Sequence, residues 1–122
     1  MAFGLALDHV QLAAPRGCED EARRFFGGLL ELDEIEKPEP LRVRGGVWFR
    51  LGANELHIGV EDPFAPARKA HPAFSVGAGD LDVLADRLAE AGEAVEWDDS
   101  LPRRRRFYTA DPWGNRIEIL GP

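Results

Sequence analysis

The same pattern runs twice through this chain. His57 stands 61 residues before Glu118, His9 stands 62 before His71, and the apolar run at residues 22–30 recurs 61 residues later at 83–91. So regular a step predicts two copies of one supersecondary unit, each too small to bury its apolar face alone. The first copy covers about 1–62 and the second about 70–122, with a connector at 61–70 that carries Pro63 and Pro66. At 122 residues the two copies are expected to form one domain.

Each copy reads as strand, helix and three strands. Residues 5–12 are apolar and β-compatible, and they place Leu7, His9 and Gln11 on one face. Residues 19–30 read as a helix with acidic residues in its first turn, where the helix dipole favours them, and with Phe25 and Phe26 on its apolar side. Residues 32–44, broken by Pro38 and Pro40, read as a short edge strand and a loop. A hairpin follows, 47–51 and 56–60. In the second copy the strands are expected at 71–76, 95–97, 106–110 and 116–120. A helix at 81–91 would close at Gly92, in the left-handed position that glycine favours. The fold class is α+β, with a curved mixed sheet.

All three histidines of the chain fall on this repeat, and Glu118 takes the fourth place. A lone strand histidine is more often packed than ligating, and a lone strand glutamate more often solvated or paired with arginine. The shared set argues otherwise. If the halves pair about a pseudo-two-fold axis, the four side chains converge in one cup. Imidazole nitrogens and a carboxylate suit a divalent ion, Zn, Fe, Mn, Ni or Co. Such an ion polarises carbonyls or lowers the pKa of bound water. Side-chain alternation brings Gln11, Ser75, Trp48 and Arg50 to the cup beside the ligands, and the same reasoning assigns Arg105 and Phe107 to it from the second copy. His57 is then either a fourth ligand or the acid/base group.

Three stretches carry a family likeness: Leu7-Asp8-His9-Val10, His71-Pro72-Ala73-Phe74-Ser75-Val76, and Asp111-Pro112-Trp113-Gly114-Asn115-Arg116-Ile117-Glu118. With them the whole chain resembles the vicinal oxygen chelate superfamily of glyoxalase I, fosfomycin-resistance, extradiol dioxygenase and bleomycin-resistance proteins. The resemblance implies tandem βαβββ modules enclosing a cup, and commonly a homodimer. It implies metal ligation by His9, His71 and Glu118, the triad of the fosfomycin-resistance and dioxygenase branches. His57 stands where glyoxalase I usually carries a glutamate, which separates this chain from that enzyme. The chain is also shorter than two-domain dioxygenases and shows no potassium-and-phosphonate loop of the fosfomycin type.

A net charge of −7 argues against nucleic acid as a partner, because such binding needs clustered positive charge. No apolar run approaches membrane-spanning length and nothing at the N-terminus reads as a secretory signal, while the single Cys18 suits a reducing cytoplasm. The cluster Arg103-Arg104-Arg105-Arg106 reads chiefly as a solvated hairpin tip that pairs with Asp98 and Asp99. The expected function is a metal-dependent enzyme acting on a small oxygen-chelating molecule, with lyase or isomerase chemistry favoured over O₂-dependent ring cleavage. The alternative is a metal-free binding or antibiotic-sequestration protein of the bleomycin-resistance type, and a weaker third reading is a structural dimerisation domain.

Overall fold

A computed structural model describes residues 3–122. The chain divides between Ala65 and Pro66 into two units, and each carries the expected strand–helix–three-strand order.

In the first unit, β1 (His9–Ala14) leads to α1 (Glu19–Ala22), which continues without a break as a π-helix over Arg23–Leu29. Then come β2 (Glu34–Ile35), the short α2 (Glu39–Arg42), β3 (Val47–Leu51) and β4 (Asn54–Val60). The sheet order is β1-β4-β3-β2, with β1 parallel to β4 and the other pairs antiparallel. Alternation on β3 sends Val47 and Phe49 into the core and leaves Trp48 and Arg50 on the other face. The helical stretch meets that core with Ala22, Phe25 and Phe26, all fully buried. Phe26 packs at 5.8 Å from Phe49.

Three details depart from the sequence expectation. Residues 5–8 are not strand: β1 starts at His9, the residue opposite Glu55 near the start of β4, and Leu5 and Leu7 are exposed. The first helix ends in wide turns, with Leu30 N–H donating to the Phe25 carbonyl at 3.0 Å. Gly27-Gly28 sits in that stretch, and glycine is a poor helix former. Residues 39–42 form a helix instead of a loop, and Pro40 lies in its first turn, where a missing N–H costs nothing.

The second unit contains β5 (Ala73–Ser75), α3 (Asp80–Glu90), β6 (Glu96–Asp98), β7 (Arg106–Ala110) and β8 (Arg116–Leu120). Its order, β5-β8-β7-β6, repeats that of the first sheet. Leu81, Ala85 and Leu88 recur at helical spacing and are buried, in a core that includes Phe74, Phe107, Ile117 and Ile119. Truncating Leu88 to alanine would cost about 2–5 kcal/mol. Glu93 N–H reaches back to the Leu88 carbonyl at 2.9 Å while Gly92 holds a φ of +83°, which closes α3 at the expected glycine. Among the described residues no helix is long and apolar enough to cross a membrane.

Candidate functional site

The turn at Asp111–Asn115 builds the second half of the site. Asp111 Oδ1 accepts the backbone N–H groups of Trp113 at 3.1 Å and Asn115 at 2.8 Å, and its Oδ2 accepts the Asn115 side-chain amide at 2.7 Å. Gly114 supplies the left-handed residue, φ +97°. Burial pushes the Asp111 carboxyl above its ordinary pKa, more than these donors bring back. Asn115 Oδ1 accepts the N–H of Ala67, and the backbone then zips on, Arg116 N–H to Ala67 and Glu118 N–H to Pro72. One turn thus aligns the segment leading to His71 with the strand bearing Glu118.

His71 Nε2 lies 3.0 Å from Glu118 Oε1. The other ring nitrogen, Nδ1, is 2.8 Å from the Lys69 carbonyl. A carbonyl only accepts, so Nδ1 carries a proton. Burial raises the Glu118 pKa, but hydrogen bonds from His71 and Arg106 outweigh it and hold the carboxyl below its ordinary value. Nε2 therefore faces an ionised acceptor, and the pair needs a positive centre: a second ring proton or a cation between the two atoms. Two ligands at right angles, each about 2.1 Å from one ion, stand about 3 Å apart. The pair fits a divalent ion in both chemistry and spacing. The Lys69 contact is the kind of outer bond that fixes a ligating histidine's tautomer.

Arg106 Nη1 holds the second oxygen, Oε2, at 3.2 Å, and the same guanidinium reaches Asp98 and Ser100. Tyr108 stands directly opposite Glu118 and meets the His71 ring edge-on at 5.5 Å, with Arg116 stacked 3.8 Å over its own ring. Tyr108, Arg116 and Arg68 line a depression of about 240 Å³. Ser75 lies exposed on β5, two residues beyond Ala73, the partner of Glu118.

The first unit brings His9 and His57 together. The His57 ring is sandwiched between Trp48 at 3.6 Å and His9 at 4.3 Å, and it is 5 % exposed. Its Nε2 contacts Glu55 Oε1 at 2.9 Å, while His9 Nδ1 contacts Asp8 at 2.8 Å. Gln11 shares that face, opposite His57, and fits because Gly59 has no side chain: a Cβ there would lie 2.8 Å from the Gln11 amide. Gln11 and Trp48 line a cavity of about 230 Å³ with Lys37, Arg44 and Gly45. Arg50 is exposed, across from Glu55. Among the described residues no three His, Cys, Asp or Glu side chains gather as a ready metal cluster.

Two expected site residues lie elsewhere. Phe107 is fully buried opposite Ile119, on the core side of β7, and Arg105 pairs with Asp82 of α3 at 2.7 and 2.9 Å. The residues on the Glu118 face are their neighbours in sequence, Arg106 and Tyr108. The sequence did carry that signal. A turn at 111–115 that sets Ala110 opposite Arg116 also sets Tyr108 opposite Glu118. Glu55, two residues before His57 on the same face, was likewise readable from strand alternation.

No family model and no curated protein matches this chain. Solved structures do. A crystal structure described as a glyoxalase family protein from Bacillus anthracis is 48% identical, with a TM-score of 0.93, covering 99% of this chain and 98% of that one. A glyoxalase/dioxygenase from Nostoc punctiforme is 22% identical (TM-score 0.80, 99% and 94% covered), and the lactoylglutathione lyase of Agrobacterium tumefaciens is 20% identical (TM-score 0.71, 98% and 96% covered). The latter two share the fold. At nearly half identity over essentially its full length, this chain belongs to the glyoxalase family, within the vicinal oxygen chelate superfamily.

Proposed function

We propose that the protein is a divalent-metal-dependent enzyme acting on a small molecule that chelates the ion through adjacent oxygens, by lyase or isomerase chemistry. The observation that carries this reading is the His71–Glu118 pair, in which a proton-bearing Nδ1 turns Nε2 towards an ionised carboxylate. His71, Glu118 and His9 are the proposed ligands; Asp8 holds His9 Nδ1, and His9 Nε2 makes no hydrogen bond among the described residues. When bound, the ion would polarise a substrate carbonyl or hydroxyl. Arg106 holds Glu118 Oε2 and leaves Oε1 for ligation. His57, tied to Glu55 and fixed between two rings, is the proposed proton-moving group, with a possible second role as fourth ligand. Gln11, Trp48, Arg50 and Ser75 would orient the substrate. The family resemblance supports a homodimer, testable by sedimentation.

The test is elemental analysis of protein purified without chelator, followed by calorimetric titration of the stripped protein with Zn²⁺, Mn²⁺, Ni²⁺ and Co²⁺, and with Fe²⁺ under anaerobic conditions. At least one ion is expected to bind, and His71→Ala, Glu118→Gln and His9→Ala to weaken it by 10-fold or more each. Absence of affinity for every ion would sink the proposal. One observation favours the metal-free reading instead: His57 Nε2 is already engaged by Glu55, and Glu118 Oε2 by Arg106. Ligand binding that is unchanged in the three ligand variants would establish it.

A further inference from the structure

The β6–β7 hairpin holds a cavity of about 480 Å³, within the range of pockets that take small organic molecules. It contains none of the proposed metal ligands but shares Arg106 and Asp98 with the network that reaches Glu118, and its walls are of two kinds. Trp97, Leu101 and Pro102 are apolar and exposed, although an indole and a leucine ordinarily seek burial. Arg103, Arg104, Arg105 and Arg106 stand against Asp98 and Asp99, so the lining is positive within a chain whose net charge is −7.

The four guanidinium groups are not equally engaged. Arg105 is held by two hydrogen bonds to Asp82 and lies 4.7 Å over the Trp97 ring, so α3 fixes both the cation and the indole beneath it. Arg106 is taken up by Glu118, Asp98 and Ser100. Arg104 donates its Nε–H to the Gly121 carbonyl at 2.9 Å and has its terminal nitrogens to spare. Arg103 has no ion pair or hydrogen bond to any described residue. Asp98 is satisfied by Ser100 and Arg106, so of the two carboxylates that line the cavity Asp99 is the uncommitted one. The sequence suggested that this cluster neutralises itself against Asp98 and Asp99. It does so only in part.

We infer that this cavity is a binding site for a small amphipathic anion, an aromatic or branched apolar body bearing a carboxylate or phosphate. The apolar body would rest on Trp97 and Leu101, and the anionic group would meet Arg103 and Arg104, whose planar forks match such oxygens. The site does not depend on any metal ion.

The experiment follows the Trp97 indole N–H by two-dimensional ¹⁵N–¹H NMR, with its signal assigned from Trp97→Phe. The intact, metal-stripped chain is titrated with phenyl phosphate, phenylacetate, phenol and inorganic phosphate. A saturable shift is expected with one or both aromatic anions, and which of them binds more tightly identifies the anionic group. Phenol and inorganic phosphate should each bind at least 10-fold more weakly. Arg103→Gln combined with Arg104→Gln, both at an exposed tip, should weaken the aromatic anion at least 10-fold while signals away from the tip and from Gly121, which Arg104 holds, stay in place. The inference is overturned if no aromatic anion saturates the signal at millimolar concentration, if phenol or inorganic phosphate matches it, or if the double variant binds unchanged.

Discussion

Trp48 stands opposite His57 in the first sheet, and Tyr108 stands opposite Glu118 in the second, so the two pairs occupy equivalent places in one repeated strand order. Two residues earlier in the chain, one half has Gly46, just before β3, and the other has Arg106, the first residue of β7. That difference accompanies a change in the two faces. Arg106 gives Glu118 a guanidinium partner, and the second face becomes an ionic network of His71, Glu118, Arg106 and Asp98. Gly46 offers no side chain, and the first face is instead a stack of rings with Glu55 at its edge. Duplication preserved the scaffold while one copy became a charged device and the other a packed one.

The comparison can be broken most sharply at Gly46. Its φ of +88° is strained for other residues, and an added Cβ would stand 2.1 Å from the Ile58 carbonyl oxygen. Gly46→Ala should cost at least about 3 kcal/mol in urea unfolding. A near-neutral result would mean that the first half tolerates a Cβ at this position and that the close approach to Ile58 does not exclude side chains there. Next comes Arg106→Gln, which removes the guanidinium from a buried carboxylate and leaves its side chain with the His71 ring as hydrogen-bond partner among the described residues. A loss of about 2 kcal/mol is expected, with the His71–Glu118 pair disturbed in NMR spectra. If stability is unchanged, the charged network is not what holds the second face.

The smaller effects concern pH and the surface. Glu19 accepts the Gly46 N–H at 2.6 Å, and that bond holds its carboxyl below the ordinary value of 4.5 although partial burial opposes it. A depressed acid stabilises the fold above its unfolded pKa, and that contribution disappears as pH falls through the lower folded value. Wild type should therefore exceed Glu19→Gln by about 1 kcal/mol at pH 6, with the gap closing below about pH 4.5. A gap that is constant down to pH 3 would remove Glu19 from the account. Last, Glu34→Ala breaks an exposed pair with Arg23 and should change stability by less than about 1 kcal/mol.

The repeat step and alternation were enough to place both β7 and β8 at their observed ends, and they brought His9 to His57 and His71 to Glu118. Face parity on β7 was harder to read. When the repeat is read alone, without the register that the turn at 111–115 sets against β8, a slip of one residue moves every side chain to the other face and selects Phe107 and Arg105 in place of Arg106 and Tyr108. The wide turns of the first helix were hidden for a related reason: Phe25 and Phe26 are buried in either geometry, so apolar spacing does not distinguish them. Glu55 stands out less in the sequence, because a carboxylate beside a hairpin turn is ordinarily solvated.

The turn at Asn115 has a consequence for the protein's chemical ageing. One side-chain amide donates to Asp111 through nitrogen and accepts from Ala67 through oxygen. Hydrolysis of that amide would replace the donor with an acid, facing another carboxylate across a 2.7 Å contact. Repulsion would then act at the junction that aligns Glu118 with the segment leading to His71. A mass change of about one dalton at Asn115 would thus mark molecules in which this junction is strained.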